Sequence, residues 1–261
     1  MNLTVEEVDK LTGTIIGRPK SGIFRTTDIV GIDVHAHVSG TSYDNLPNDE
    51  ARQTLKAPSI LKKLIESGRL GQKTKSGFYK KTDKGILSIN LETYEYGSMK
   101  KVRFDGYRLA KGYQNTGERI KALYNSDDKA GKYFMEITSD SLIYSANRIP
   151  EISDDIVNID NAMKWGYGWE LGPFETWDSI GVRASIKTMK EKGKDIPSWV
   201  EYMLETGREN FYNFENGIRY YWCPIDKQPK PIIQRPKTIN LSIHKTGNTI
   251  LKRDLSASVI D

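Results

Sequence analysis

Two aspartates stand at matching places in two similar stretches of the chain and are the first candidates for acid–base chemistry. Asp28 lies in the stretch 22–32 and Asp178 in the stretch 172–182, and both stretches follow the pattern Gly-x-Phe-x-Thr-x-Asp-x-x-Gly. A carboxylate in a cleft could transfer a proton. A catalytic group does not ordinarily need duplication, so we expect each aspartate to make a buried hydrogen bond that closes the preceding loop or caps the helix.

The three histidines and the single cysteine do not form a metal-binding pattern. His35 and His37 are two positions apart, which on a helix separates their side chains by about 200° and prevents the chelation that an i, i+4 pair allows. Cys223 has no second cysteine with which to form a disulfide. We therefore predict no metal site and no catalytic residue, with Cys223 as a small apolar filler.

A stretch rich in glycine and lysine, residues 71–80, permits two interpretations. Its cations and flexible backbone could cradle a phosphate, although it lacks the Gly-Lys-Ser/Thr ending of a P-loop. The alternative is a tight connection whose glycines allow turns and whose Phe78 and Tyr79 attach it to the core. We favour the tight connection.

Helical segments must position these residues. Thr4 and Glu7 form a capping-box pattern, which predicts a helix over about 5–13. Residues 22–38 are also expected to be helical. Gly31 recurs in the second stretch as Gly181, and because glycine is costly inside a helix we expect close packing or a helix end there.

The remaining segments are assigned from apolar spacing and turn residues. Pro58 opens a helix that Gly68 ends, and Gly85–Phe104 is expected to contain short extended segments. Further predicted elements are helices at about 116–125, 128–146, 154–164 and 197–206, a hairpin within 211–222, a stiff linker with Pro224, Pro229, Pro231 and Pro236, and a small β-element formed by 239–243 and 249–252 around a turn at 246–248.

A second pair of similar blocks, 58–69 and 197–208, follows the first pair in the same order. Two blocks that recur in order indicate an internal duplication, so we predict a mainly α fold with two tandem copies of one helical unit. The expected organisation is a first helical domain at 1–82, a connector at 83–108, a second and degenerate helical copy at 109–222, and a Pro-rich linker with a β tail at 223–261.

Composition describes a globular protein of 261 residues with 37% apolar and 28% charged residues. No apolar run approaches the roughly 18 residues of a membrane span, and the first residues do not resemble a signal peptide, so we expect no membrane association and a cytoplasmic location. The net charge of +5 is scattered among acidic residues, which argues against nucleic-acid binding. It is compatible with a phosphorylated substrate such as a coenzyme A ester.

Several of these motifs together resemble a known family. The stretches 5–9, 17–33 and 71–79 are closely similar to the C-terminal domain of L-3-hydroxyacyl-CoA dehydrogenases, and 159–181 resembles the second, degenerate copy found in multifunctional members. The resemblance covers about 1–222. The tail 249–254 resembles the lead-in to an enoyl-CoA hydratase domain.

The resemblance implies a mainly α fold of the 6-phosphogluconate dehydrogenase C-terminal type and a role in fatty-acid β-oxidation. In that family NAD is bound by an N-terminal Rossmann domain, which also supplies the catalytic histidine and glutamate, and an asparagine on a following helix completes the site. This chain begins after that helix, so we expect no cofactor binding and no turnover by the chain alone. Asn147-Arg148 mimics the family's Asn-Arg pair at the wrong place and is not assigned that role.

The resemblance also implies partners and a candidate substrate-binding segment. The expected partners are an acyl-CoA substrate, a Rossmann domain in the same or a separate chain, an enoyl-CoA hydratase domain and a second copy in a homodimer. Pro19, Lys20 and Phe24 are the candidate residues that wall the acyl end of the substrate cleft, with packing inside the first copy as the alternative for Phe24. The alternative function is a non-catalytic helical module for protein interaction.

Overall fold

The computed structural model describes residues 2–215, 217–233, 250–253 and 258–260, the last two ranges by their backbone only. The chain divides into two compact units. The first consists of Met1–Thr138 and Tyr167–Glu170, and the second of Ser139–Gly166 and Leu171–Asp261.

The first unit begins with five helices. The helix α1 starts at Val5 because Thr4 accepts a hydrogen bond from the Glu7 amide and the Glu7 carboxylate accepts one from the Thr4 amide, which confirms the predicted capping box. A short 3-10 turn follows at Thr14–Ile16. The helices are α1 (Val5–Leu11), α2 (Phe24–Val30), α3 (Ile32–Asn45), α4 (Arg52–Leu55) and α5 (Ser59–Glu66).

A three-stranded antiparallel sheet covers this helical part of the first unit. Its strands β1 (Tyr79–Thr82), β2 (Gly85–Ile89) and β3 (Tyr96–Ser98) are arranged in chain order. The strands contribute to the same core as the helices, and this core consists of Val5, Ile32, Leu61, Leu64, Phe78 and Ile89. The predicted extended segments within 85–104 are therefore present, and they belong to the core of the first unit.

Two further helices, α6 (Asp105–Lys111) and α7 (Thr116–Tyr124), complete the first unit together with the first part of α8 (Lys129–Asn147). The helix α6 was not predicted. Only Gly106 and Ala110 are buried on it, so its sequence carries little apolar periodicity.

The second unit contains α9 (Ile156–Tyr167), α10 (Pro173–Ile180), α11 (Val182–Glu191) and α12 (Ser198–Glu205). A second antiparallel sheet follows, with strands β4 (Tyr212–Glu215), β5 (Ile218–Cys223) and β6 (Gln228–Pro231). The core of this unit is aromatic. The ring of Phe211 lies 5.1 Å from that of Phe174, 5.4 Å from Trp177 and 5.8 Å from Trp199, measured between centroids.

Two sequence predictions are corrected by these elements. Residues 22–38 do not form one helix, because Gly31 ends α2 and begins α3 at a φ of 109°. The proline-rich segment is not only a linker, since β6 pairs with β5 and places Pro229 opposite Trp222 and Pro231 opposite Tyr220. Proline is tolerated there because β6 is an edge strand whose outer amides need no partner.

The tail also contains strand structure. The strands β7 (Ile250–Arg253) and β8 (Ser258–Ile260) pair antiparallel, whereas the predicted strand at 239–243 and the turn at 246–248 lie outside the described residues. The predicted domain limits 1–82, 83–108, 109–222 and 223–261 concern repeated sequence blocks and remain predictions. In the described part of the chain, no helix is both long and apolar enough for a membrane span.

Candidate functional site

The candidate substrate segment is a loop that follows the 3-10 turn Thr14–Ile16, and Asp9 fixes its end. The Asp9 carboxylate, on α1, accepts hydrogen bonds from the backbone amides of Ile23 at 2.8 Å, Phe24 at 2.6 Å and Arg25 at 3.0 Å. These are charge-assisted bonds to amides that the first turn of α2 would otherwise leave without a partner. Asp9 therefore holds the entry of the loop into α2.

A tyrosine from a distant part of the sequence completes this arrangement. The Tyr79 hydroxyl, at the start of β1, donates to Asp9 Oδ2 at 2.7 Å. Burial raises the pKa of Tyr79 well above its ordinary range, and the neighbouring Asp9 carboxylate adds to this shift, so the phenol is protonated and a donor at neutral pH. Burial also raises the pKa of Asp9, while the four donors oppose that shift.

Gly22 allows the loop to approach Asp9 closely. Its φ is 62°, and a Cβ at this position would lie 2.6 Å from Asp9 Cα and 2.7 Å from the Asp9 carbonyl oxygen. No other residue fits there without displacing backbone. The glycine of the repeated pattern is thus explained by contact with α1.

Asp28 has the structural role that we expected, with a different partner. It is buried, and its two oxygens accept from the amides of Phe78 and Tyr79, each at 2.8 Å. These amides come 50 residues later, so Asp28 attaches β1 to α2 and does not close the preceding loop or cap the helix. Gly77 is required because a Cβ at that position would overlap the Asp28 carboxylate.

The second unit contains equivalents of five of these six hydrogen bonds. Asp160 accepts from the amides of Phe174 at 2.8 Å and Glu175 at 3.1 Å, and from the Tyr212 hydroxyl at 2.8 Å. Asp178 accepts from the amides of Phe211 at 2.7 Å and Tyr212 at 2.9 Å. Asp160 and Tyr212 thus correspond to Asp9 and Tyr79, as Asp178 corresponds to Asp28.

The helix joint and the contact glycine also occur in both units. Gly181 ends α10 and begins α11 with φ 100° and ψ 107°, close to the 109° and 127° of Gly31. A Cβ on Gly172 would overlap Asp160, as one on Gly22 would overlap Asp9. The expectation that the recurring glycine marks a helix end is confirmed.

The two carboxylates of the second unit that accept these bonds have raised pKa values. Burial raises the pKa of Asp160 and of Asp178 to about 7, and the neighbouring charges of Glu175 on Asp160 and of Asp160 on Asp178 act in the same direction. Backbone amides that donate to each group oppose the shift. Because these groups are enclosed and already hydrogen-bonded, their raised pKa fits a structural role.

The three candidate substrate residues lie in different environments. Pro19 and Lys20 are exposed, whereas Phe24 is partly buried with its ring 4.6 Å from that of Phe78. Phe24 therefore has the packing role that we gave as the alternative. The assignment of Pro19, Lys20 and Phe24 to a substrate cleft remains a prediction.

Sequence reasoning did not identify the contact between Arg18 and Trp169. The Arg18 guanidinium lies 3.5 Å from the centroid of the Trp169 ring, and the Glu170 amide donates to the Gly17 carbonyl at 2.8 Å. Burial lowers the pKa of Arg18 to about 10. This pair attaches the segment Tyr167–Glu170 to the candidate loop. In the sequence, only the neighbouring glycines Gly166 and Gly168 marked this segment as unusual.

The other candidates contribute no chemistry to this loop. His35 and His37 are exposed on α3, while His244 lies outside the described residues. No group of three histidine, cysteine or carboxylate side chains with metal-binding geometry occurs among the residues that the structure describes. Cys223 is buried, and its thiol donates to Asp226 at 3.0 Å.

Comparisons with known proteins concern both units of the chain. The family described as "3-hydroxyacyl-CoA dehydrogenase, C-terminal domain" matches residues 1–81, which end two residues after Tyr79. A probable 3-hydroxyacyl-CoA dehydrogenase of Bacillus subtilis is 42% identical over 258 residues, covering 98% of this chain and 32% of that protein.

Less similar relatives are named as trifunctional enzymes. A putative fatty acid oxidation complex trifunctional enzyme of Rickettsia felis is 34% identical over 194 residues, covering 69% of this chain and 25% of that protein. The chain spans about a third or less of the length of these curated relatives. The chain is thus related to the 3-hydroxyacyl-CoA dehydrogenases, and its residues 1–81 belong to the C-terminal domain of that family.

Proposed function

We propose that this chain is the helical, substrate-binding and dimerisation part of an NAD-dependent L-3-hydroxyacyl-CoA dehydrogenase of fatty-acid β-oxidation in the cytoplasm. The reaction oxidises the 3-hydroxyl of an acyl-CoA to a ketone. The main support for the proposal is the 42% identity to the probable Bacillus subtilis dehydrogenase. This similarity extends over 98% of the chain and therefore includes both units.

We assign NAD binding to a Rossmann domain outside these 261 residues. Within the described ranges every strand pair is antiparallel, and Gly166-Tyr167-Gly168 lies at the C-terminal end of the helix α9 and not after a strand. A dinucleotide site needs a parallel strand–glycine turn–helix unit. The described residues do not fit NAD, and the chain's contribution is to bind and orient the acyl-CoA.

The two units are proposed to be tandem copies of one ancestral domain. The support is the set of five equivalent hydrogen bonds made by Asp9, Asp28, Asp160 and Asp178, together with the matching glycine joints at Gly31 and Gly181. These contacts join groups that are far apart in sequence. Two unrelated segments would not make the same set of contacts by chance.

Within the first unit we propose that the exposed part of the loop, with Pro19 and Lys20, faces the acyl-CoA. The support is the rigid mounting of the loop by Asp9 and Tyr79, which holds a surface segment in one conformation at little cost on binding. Phe24 then acts from behind by packing the loop on the core. The Rickettsia relatives are named as trifunctional enzymes, which supports the proposal that further enzyme domains accompany this part. We propose an enoyl-CoA hydratase domain as one of them, from the resemblance of the tail 249–254.

The test is turnover with the chain alone and in a mixture. We expect no reduction of NAD when the chain is given 3-hydroxybutyryl-CoA and NAD. Turnover should appear after addition of a separately produced Rossmann domain from a 3-hydroxyacyl-CoA dehydrogenase. Robust turnover by the chain alone would refute the assignment of NAD binding to a separate Rossmann domain. An inactive mixture that shows no acyl-CoA binding would refute the dehydrogenase role.

A matched pair of variants tests the loop in the active mixture. Lys20→Ala should raise the KM for the acyl-CoA with little change in kcat, because an exposed cation contributes to ground-state binding. Lys111→Ala, at another exposed lysine, on α6, should leave both constants unchanged. Equal effects of both variants would contradict a specific role for the loop.

A non-catalytic interaction module is the second candidate, and an exposed apolar surface favours it. Ile29, Val30, Val34 and Val38 of α2 and α3 are between 42% and 57% exposed. Such a surface also suits a homodimer. Light scattering of the purified Val34→Asp and Val38→Asp variants tests for a homodimer, which should dissociate when a charge is placed in its interface. A stable complex with an unrelated protein, without dehydrogenase activity, would favour the interaction module.

A further inference from the structure

A cleft of about 430 Å³ lies in the first unit, outside the loop that carries Pro19 and Lys20. It is bounded by α2, by the 3-10 turn Gln72–Thr74 and by the hairpin of β1 and β2. Its lining residues are Arg25, Asp28, Ile29, Gln72, Lys75, Tyr79, Lys81, Thr82, Asp83 and Ile86. This volume suits a small ligand or one end of a larger one.

Three cations lie at this cleft without an ion-pair partner. In the described part of the chain, the side chains of Arg25, Lys75 and Lys81 are not within ion-pair distance of any carboxylate. Lys73, on the same turn as Lys75, differs in that it pairs with Asp33 at 2.6 Å and does not line the cleft. The cleft therefore concentrates positive charge that the fold itself does not neutralise.

Two carboxylates also line the cleft and reduce its charge only in part. Asp28 forms part of the wall, but both of its oxygens accept backbone amides and burial raises its pKa. Asp83 is exposed on the turn between β1 and β2. Three cations against one free carboxylate leave the cleft positive at neutral pH.

The backbone at Lys75 supports a role for its side chain. Lys75 has a φ of 58°, in the left-handed region that glycine or asparagine adopts at lower cost. Strained conformations of this kind concentrate at ligand-binding sites, where the side chain is needed in place. A glycine would satisfy the turn, yet the position holds a lysine that lines the cleft.

The second unit shows that the shared fold does not require these cations. The equivalent of Arg25 is Glu175, which is paired at 2.9 Å with both Lys164 and Arg219. Lys81 corresponds to Phe214, two positions after Tyr212 as Lys81 is after Tyr79. The second unit therefore makes equivalent hydrogen bonds with an ion-paired glutamate at the position of Arg25.

The turn that carries Lys75 also has no counterpart there. Arg69 and Phe78 are nine positions apart in the first unit, whereas Arg208 and Phe211 are three apart in the second. In the second unit a shorter connection therefore suffices to bring two backbone amides to Asp178, as the longer one brings two to Asp28. The longer connection with Gln72 and Lys75 is thus an addition specific to the first unit.

We propose that this cleft binds the phosphate of a phosphorylated small molecule. Arg25, Lys75 and Lys81 would contact the phosphate oxygens, with Gln72 and Thr82 as neutral donors, and Ile29 and Ile86 offer an apolar wall to the rest of the ligand. The glycine- and lysine-rich connection is then both a tight turn and a phosphate cradle. The proposal goes beyond the dehydrogenase role and does not depend on turnover.

Titration calorimetry of the full chain at low salt tests this proposal with three probes: pyrophosphate, adenosine 3′,5′-bisphosphate and coenzyme A. Lys81→Gln and Arg25→Glu should each weaken binding by at least about threefold to fivefold, the size expected for one exposed ion contact. Lys80→Gln is the matched control, because Lys80 is the adjacent cation on β1 and does not line the cleft. Its affinity should change by less than twofold.

Lys75→Asn separates binding from folding. Asparagine tolerates a φ of 58° and carries no charge, so thermal unfolding should be unchanged while phosphate affinity falls. Equal affinity for pyrophosphate and coenzyme A would identify free phosphate as the ligand class, and binding of only the two nucleotides would identify a nucleotide-borne phosphate. The proposal is overturned if no probe binds at millimolar concentration, or if the three cleft variants bind as tightly as Lys80→Gln.

Discussion

At the scale of residues, each unit depends on two aspartates, one buried and one partly buried, that accept backbone amides, and on one tyrosine that connects them. Tyr79 supplies both an amide to Asp28 and a hydroxyl to Asp9, and Tyr212 does the same for Asp178 and Asp160. Asp28 and Asp178 could be recognised from the repeated pattern. Asp9 could not, because its tyrosine partner lies 70 positions away and no local spacing indicates the pair.

Removal of the tyrosine hydroxyl should destabilise each unit. Tyr79→Phe leaves the partly buried Asp9 carboxylate, and Tyr212→Phe the buried Asp160 carboxylate, with one donor fewer, which costs about 1–2 kcal/mol of unfolding free energy. Urea unfolding followed by circular dichroism measures it. Tyr113→Phe, at a 42% exposed tyrosine, is the control and should change the free energy by less than about 0.5 kcal/mol.

The raised pKa values of Asp160 and Asp178 predict a pH dependence. Each pKa moves from 3.8 to about 7 on folding, so the folded state binds a proton more tightly than the unfolded chain. The stabilisation is fully present below pH 4 and is lost as the pH rises through 7.

Urea unfolding at pH 5 and pH 8, followed by tryptophan fluorescence, tests this dependence. The contribution of these groups to unfolding free energy should fall between the two values. Asp178→Asn removes one titrating group and should make the fall smaller, whatever its effect on stability itself. An unchanged difference between pH 5 and pH 8 would show that Asp178 is ionised throughout.

At the scale of elements, the helices with strong end signals were predictable and the elements with distant partners were not. The capping box at Thr4 and Glu7 placed the start of α1, and Gly31 indicated a helix end. The strand β1 was missed because Tyr79-Lys80-Lys81-Thr82 has no apolar alternation. Its pairing is determined by the Asp28 carboxylate and by β2, and neither is visible in the local sequence.

The glycine joints give a prediction at this scale. Gly181→Ala should cost about 1–3 kcal/mol of unfolding free energy, since nothing lies within 4 Å of a Cβ there and the φ of 100° alone opposes the substitution. Gly40→Ala provides the opposite control inside α3, with equally open space around its Cβ. It should raise the unfolding free energy by up to about 1 kcal/mol.

At the scale of the whole molecule, several basic side chains outside the cleft of the first unit are paired with carboxylates. Lys190 pairs with Glu201, Arg183 with Glu209 and Lys194 with Asp140. The fold class was predictable because two sequence blocks recur and resemble a helical family. The compact units could not be delimited, because the boundary at Thr138 falls inside α8, where no composition change occurs.

This charge distribution predicts weak and non-specific contact with nucleic acid. The chain should elute from immobilised duplex DNA below about 0.15 M salt, where a Debye length is about 8 Å and scattered charges are screened. Elution profiles over a salt gradient measure this property. Retention with a steep salt dependence would indicate several simultaneous phosphate contacts and would contradict the scattered distribution.

The bonds from Asp9 and Asp28 to Tyr79 also set a limit on how the first unit can be shortened. A fragment that stops after α5 would lose the amides of Phe78 and Tyr79 that donate to Asp28 and the Tyr79 hydroxyl that donates to Asp9. Ile89 on β2 also belongs to the core, so a fragment that ends after β3 retains the complete set. Minimal versions of this region for crystallisation or fusion should therefore extend at least to Ser98.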